Sequence, residues 1–210
     1  MSFLRCLLGA LLVSSGAAWR LFGGAVPAAG GLGAGRARAA AAVAAALALQ
    51  PGAALAETYS NERYHTQFEI PKGWTSATGV LSGERKVEAW IDPNDSGTSV
   101  SLVFTPIPAD FTRLTSFGGG KETLREYLVP RGEGIDAKII DETIKGETYT
   151  LEYVVSAPEQ PTRHVTTVFA LRPAESVVGL TVQTAEDTYK NKEAILKPII
   201  PSLKIHVNEE

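Results

Sequence analysis

Residues 139–183 read IIDETIKGETYTLEYVVSAPEQPTRHVTTVFALRPAESVVGLTVQ. Four short runs rich in Val, Ile, Thr, Tyr and Phe are divided by turn residues at Lys145-Gly146, at 158–161 and at 172–175. β-branched and aromatic runs bounded by Gly, Pro and polar clusters predict consecutive antiparallel strands. Period two is visible inside them. Tyr149, Leu151, Tyr153 and Val155 share one face, with Thr148, Thr150 and Glu152 on the other. Val165, Thr167, Phe169 and Leu171 repeat the pattern, as do Val178, Leu180 and Val182. An apolar face on each strand needs a cover, so helices are expected against this meander.

The 210 residues suffice for one ordinary domain and a removable leader. Four of the 20 basic side chains (Arg5, Arg20, Arg36, Arg38) lie in residues 1–56, which hold no acid. The rest of the chain has 16 basic against 23 acidic residues, a net charge of −7. Phosphate neutralisation needs clustered Lys and Arg, so a nucleic-acid partner is not expected. The single cysteine, Cys6, lies in the leader. After cleavage the domain has no disulfide, thiol nucleophile or Cys-based metal site.

The leader reads as an address. A basic spot at Arg5, an apolar run at 7–13 and small residues at 14–18 make a signal peptide. Residues 19–38 are Gly/Ala-rich, basic and acid-free, as transit peptides are. A second apolar run at 39–49 ends at Pro51-Gly52 and an Ala54-Leu55-Ala56 cleavage site. It is short for a membrane span. Residues 1–56 are thus read as a tripartite presequence leading through the endomembrane system into a plastid of secondary origin and then to the thylakoid lumen. The duller reading is one uncleaved signal with a low-complexity tail. Arg36 and Arg38 are not adjacent, which leaves Sec-type and twin-arginine export both open.

Along residues 57–210, a short strand and a turn are expected ahead of strands at 67–70, 87–91 and 99–107, the last with strong alternation. Trp74 is expected as a core anchor. Residues 75–84, 110–120 and 156–163 read as exposed loops, the second with one helical turn. KETLREYLVP predicts a helix with Leu124, Tyr127 and Leu128 inward and Pro130 as stop. Thr184-Ala185-Glu186-Asp187 resembles a capping box opening a helix to about Lys197, with Tyr189, Ile195, Leu196 and Ile199 inward. Residues 203–207 return as a short edge strand.

His164 is the first candidate for chemistry. With 172–176 as a hairpin loop, antiparallel positions sum to about 348, so His164 faces position 184, near Glu186 and Asp187. One imidazole with one or two carboxylates could hold a divalent cation such as Mn, Zn or Ca. The bland reading is a half-exposed strand histidine paired with a carboxylate, the acids merely favouring a helix N-terminus. His65 and His206 have no derivable ligand partner. Asp92, Asn94 and Asp95 crowd oxygens together but lack the Gly and distal Glu of an EF-hand, so a plain turn is expected. Gly118-Gly119-Gly120-Lys121 fails the phosphate-loop pattern, since Thr115 stands for the first Gly and Glu122 follows the lysine. No G-x-S-x-G elbow is present.

Seven segments follow one another in the order of the PsbP-domain family: YSNERYHTQFEIPKGW (59–74), VSLVFTP (100–106), DFTRLTSFGG (110–119), GETYTLEYVV (146–155), TRHVTTVFAL (162–171), GLTVQTAEDTYK (179–190) and SLKI (202–205). The chain resembles that family over residues 57–207. The resemblance implies an α+β fold, an α/β/α sandwich with a central antiparallel sheet flanked by helices, PsbP/Mog1-like. It implies a non-catalytic extrinsic protein of the thylakoid lumen, associated with photosystem II in oxygen-evolving-complex support, stability or assembly. Relatives bind metal around a matching histidine and acid, the acid here falling on Glu186. The metal set so implied is His164, Glu186 and Asp187, with Ca or Mn as the first candidates. Expected partners are lumenal subunits of photosystem II, or of photosystem I, met by a monomer peripheral to the thylakoid membrane. Tyr59 closely follows the expected cleavage site, whereas the oxygen-evolving enhancer itself has a longer docking arm. That departure favours an assembly factor or metal-delivery chaperone as the alternative role. A secreted hydrolase is the distant one, and a Ran-binding protein with a similar sandwich is a likeness of fold only.

Overall fold

The computed structural model describes residues 56–81 and 85–205. The leader reading and His206 therefore lie outside the described residues. In chain order the strands are β1 (Ala56–Asn61), β2 (Thr66–Pro71), β3 (Thr75–Leu81), β4 (Arg85–Asp92) and β5 (Asp95–Pro106). A 3-10 turn (Leu114–Phe117) and helix α1 (Lys121–Leu128) precede β6 (Asp136–Lys145), β7 (Thr148–Ser156), β8 (Arg163–Arg172) and β9 (Ser176–Ala185). Helix α2 (Glu186–Leu196), a 3-10 turn (Ile200–Ser202) and β10 (Lys204–Ile205) complete the described fold.

The meander read from 139–183 forms one flank of a seven-stranded antiparallel sheet, in the order β3-β4-β5-β9-β8-β7-β6. The alternation sorts side chains onto two cores. Tyr149, Leu151, Tyr153, Val165, Phe169 and Leu171 face one side, where Leu114 and Phe117 of the first 3-10 turn and Leu124 and Leu128 of α1 cover them. Val100, Leu102, Phe104, Val178, Leu180 and Val182 face the other side. There the cover is Leu196, Ile199 and two side chains of β2, Phe68 and Ile70.

The expected sandwich needs correction on this second side. Strands β1, β2 and β10 form a separate three-stranded antiparallel sheet that shares the cover with α2, so one outer layer is partly β. Covered on both faces, β9 is buried along most of its length rather than on one face only. Residues 75–81, expected as part of a loop, are the edge strand β3. TSATGVL carries no apolar alternation because its side chains pack against little. Trp74 does join the second core, though only partly buried.

Two polar networks tie the layers together. Arg125 of α1 donates through Nη2 to Glu142 Oε1 at 2.6 Å and through Nε to Oε2 at 3.2 Å, and Tyr149 Oη donates to the same Oε2 at 2.9 Å. The Arg125 hydrogen bond is the main reason the Glu142 carboxyl sits below its ordinary range. On the other face Lys192 of α2 donates to Asp92 Oδ2 and Asp95 Oδ2, each at 2.7 Å, and to Thr98 Oγ1 at 3.0 Å. The turn whose oxygens looked ligand-like is thus filled by an ammonium group.

Asp95 is likewise held below its usual range, chiefly by the Lys192 hydrogen bond and then by Thr98. A carboxyl depressed in the folded state adds stability that is complete above its unfolded value, about 3.9, and is lost as pH falls through the lower folded value. Asp95→Asn is therefore expected to cost roughly 1–2 kcal/mol at neutral pH. It should also shrink the acid-induced loss of stability below about pH 4. Urea melts of both proteins across pH 2–7 check this, and parallel pH curves would count against it.

Candidate functional site

β8 begins beside the start of α2, and this is where His164 sits. The register derived from the hairpin holds: Arg172 pairs with Ser176 and His164 with Thr184. The chain then turns directly from β9 into α2, and the first helical N–H, that of Glu186, donates to Thr162 O at 2.9 Å. The expected capping box does not form. The N-cap is Ala185, which has no side-chain cap. Thr184 is buried, and its hydroxyl lies 2.7 Å from that of Thr98 and 3.0 Å from that of Thr188. Ile195, expected inward, is exposed, whereas Leu196 and Ile199 are buried.

The His164 ring is only 4% exposed, not half-exposed. Its Nδ1 lies 2.8 Å from Glu186 Oε2, and its Nε2 lies 2.7 Å from Glu152 Oε1. Tyr189 stacks flat on the ring, with centroids 3.4 Å apart and planes at 5°. The Tyr189 hydroxyl donates to Glu152 Oε1 at 3.4 Å, and burial followed by the Glu152 charge pushes this phenol up to about 12. His164, Glu152 and Tyr189 line a cleft of about 140 Å³ that also takes in Thr166, Leu196 and Pro201.

Of the three residues expected here, the fold brings His164 and Glu186 together. Asp187 is exposed and does not join them. Glu152 and Tyr189 complete the group. Glu152 was legible in principle: β8 pairs with β7 so that His164 faces Val154, and Glu152 is two residues along on the same face. Tyr189 follows Glu186 by three residues, nearly one helical turn.

The arrangement is a hydrogen-bonded clamp. One carboxylate sits at each ring nitrogen, so the imidazole bridges β7 and α2. A metal shell needs donors that converge on one point, and here the two carboxylates lie at opposite nitrogens of a single ring. Among the described residues no group of three His, Cys, Asp or Glu side chains converges to hold an ion. The donor set present therefore does not fit a resident Ca, Mn or Zn ion. His65, at φ 46°, lies in the turn between β1 and β2 and takes no part.

The PsbP family model matches residues 55–205. "PsbP domain-containing protein 3, chloroplastic" of Arabidopsis thaliana is 28% identical over 114 residues, covering 51% of this chain and 46% of that protein. The chain thus spans about half the length of the curated relative it matches. The solution structure of cyanobacterial PsbP (CyanoP) from Synechocystis superposes with a TM-score of 0.54 at 20% identity, covering 75% of this chain and 96% of that one. At that identity the likeness is one of fold. The Ran-binding protein Mog1p of Saccharomyces cerevisiae gives a TM-score of 0.43 at 13% identity over 72% of this chain and 95% of that one.

Proposed function

The chain belongs to the PsbP family, and from that premise we propose that it is a non-catalytic extrinsic protein of the plastid, docking on lumenal subunits of photosystem II. The observation that carries the reading is the family match across residues 55–205, which spans the whole of the described fold. The name of the Arabidopsis relative supports a plastid address. The clamp suits a docking role better than turnover. Both nitrogens of the buried imidazole are engaged by carboxylates, so no ring lone pair faces a substrate. The loops at 110–120 and 156–163 carry the contacts, as loops on a rigid sheet do.

The protein immobilised as bait in detergent-solubilised thylakoids is expected to retain photosystem II subunits. Recovery of photosystem I alone would overturn the partner, and recovery only from assembly intermediates would assign the assembly-factor role. Neither photosystem on the bait sinks the reading altogether.

His164, Glu186 and Asp187 as metal ligands make a separate, sharper test. A cation must break one of two short hydrogen bonds to reach the ring. Calorimetric titration with Ca, Mn and Zn is expected to give the same weak heats for the wild type and for His164→Ala. Binding that disappears with the histidine would restore the metal-delivery alternative.

A further inference from the structure

The seven-stranded sheet ends in β3 on one side and β6 on the other, and the two edges differ in chemistry. β6 carries charges at Asp136, Lys138, Asp141, Glu142 and Lys145, and a bulge between Ile139 and Asp141. Both features hinder a further strand from pairing there. β3, TSATGVL over Thr75–Leu81, has no charge and no proline, and its register with β4 is regular from end to end. Among the described residues it pairs with β4 alone. Val80 on this strand is 73% exposed, more than any other large apolar side chain of the described residues. A row of backbone N–H and C=O groups presented in this way is a template for another strand.

The strand is complementary to itself. When two copies pair antiparallel with full overlap, Leu81 faces the partner's Thr75, and Thr78 faces its own equivalent on the two-fold axis. On one face Ala77 then meets the partner's Gly79; on the other Val80 meets the partner's Ser76. Each larger side chain is opposed by a smaller one, and the Thr78 pair sets hydroxyl against hydroxyl. On β4 the acid level with the axis is Glu88, opposite Thr78. The two Glu88 side chains stand three strand spacings apart, roughly 14 Å, beyond the screening length of about 8 Å at physiological salt. A domain of net charge −7 therefore meets its own copy along this edge with little local repulsion.

We propose that β3 is a self-association edge, pairing antiparallel with β3 of a second copy and joining the two seven-stranded sheets into one. A second copy brings the uncharged, small-residue strand with it, whereas a strand from another protein would have to match it independently. The pair forms roughly six to eight backbone hydrogen bonds. One strand contact covers less than the ~1,200 Å² of a stable interface, so the dimer is weak and fills only as concentration rises. This departs from the monomer that the family resemblance implies.

The test is sedimentation equilibrium of the full chain over about 10 µM to 1 mM, where a monomer–dimer equilibrium with a dissociation constant near 100 µM is expected. Thr78→Lys and Thr78→Glu each set like charges face to face across the axis and should weaken the dimer at least tenfold. Thr78 is exposed, so neither change should lower the Tm of the dilute protein by more than about 3 °C. An equimolar mixture of the two variants should associate at least as tightly as the wild type, because opposite charges then face each other. A dimer indifferent to both variants, or a mixture that stays monomeric, would overturn the assignment. A wild type still monomeric at about 1 mM would do the same and leave the edge to a strand of another protein.

Discussion

His164→Ala is expected to destabilise the protein by roughly 2–4 kcal/mol, seen as a fall in Tm of about 6–12 °C in a thermal melt. Three losses add. The ring fills a site only 4% exposed, so its removal leaves a void beneath Tyr189. Both hydrogen bonds go, and with them the link from β8 to β7 through Glu152 and to α2 through Glu186. Finally, two carboxylates are left facing the void without their ring partner, and a polar group left unsatisfied costs more than its hydrogen bond contributed. Glu152 is the more buried acid, its side chain 28% exposed against 44% for Glu186. It follows that Glu152→Gln in the His164→Ala background should recover part of the loss. Glu186→Gln alone should cost under about 1 kcal/mol, in line with exposed pairs. A His164→Ala variant as stable as the wild type, or a double variant no more stable than His164→Ala, would mean that His164 is a passive strand residue.

How far this clamp could be seen in the sequence depends on what hairpins determine. A tight antiparallel turn settles the register of everything beyond it, so the loop at 172–176 was enough to set His164 against Thr184. Reaching Glu152 needed the same step on the β7–β8 loop, followed by the diagonal neighbour on one face. Asp187 was over-read: adjacency on a helix puts it about 100° round from Glu186, which turns it to solvent. The capping box failed for a related reason. Thr184 still belongs to β9, and its hydroxyl is drawn inward by Thr98 across 86 residues of chain, a partner that no local pattern announces.

The layers were less legible than the sheet. Alternation shows that a strand has a buried face but not which surface buries it, so β1 and β2 were seen as strands without being seen as a cover. β3 was missed for the opposite reason. At the edge of a sheet, paired only with β4, small polar residues suffice, and Val80 stands 73% exposed. Edge strands are normally blunted by charge or proline. β6 at the far edge follows that rule, with a bulge between Ile139 and Asp141 and charges at Asp136, Lys138, Asp141, Glu142 and Lys145.

Phe117→Ala should be still more costly, roughly 3–5 kcal/mol, with Tm lowered by about 10 °C or more. The first core has a thin cover of one 3-10 turn and an eight-residue helix, so few side chains close it. Phe117 is 2% exposed and meets Phe169 of β8 edge-on at 5.2 Å and Phe111 at 4.9 Å. The turn carrying it is held by Leu114 N–H donating to Glu147 Oε2 at 2.6 Å and ends at Gly118, whose φ of 100° suits glycine. The bond from Leu114 to Glu147 opposes inward collapse of the turn into that space. The lost contacts therefore appear nearly in full as lost stability. Val80→Ser, on a side chain facing solvent, sets the baseline and should stay within about 0.5 kcal/mol of the wild type. Equal melts for Phe117→Ala and Val80→Ser would show that the 3-10 turn is a loose flap. The meander would then have to be stable without that cover.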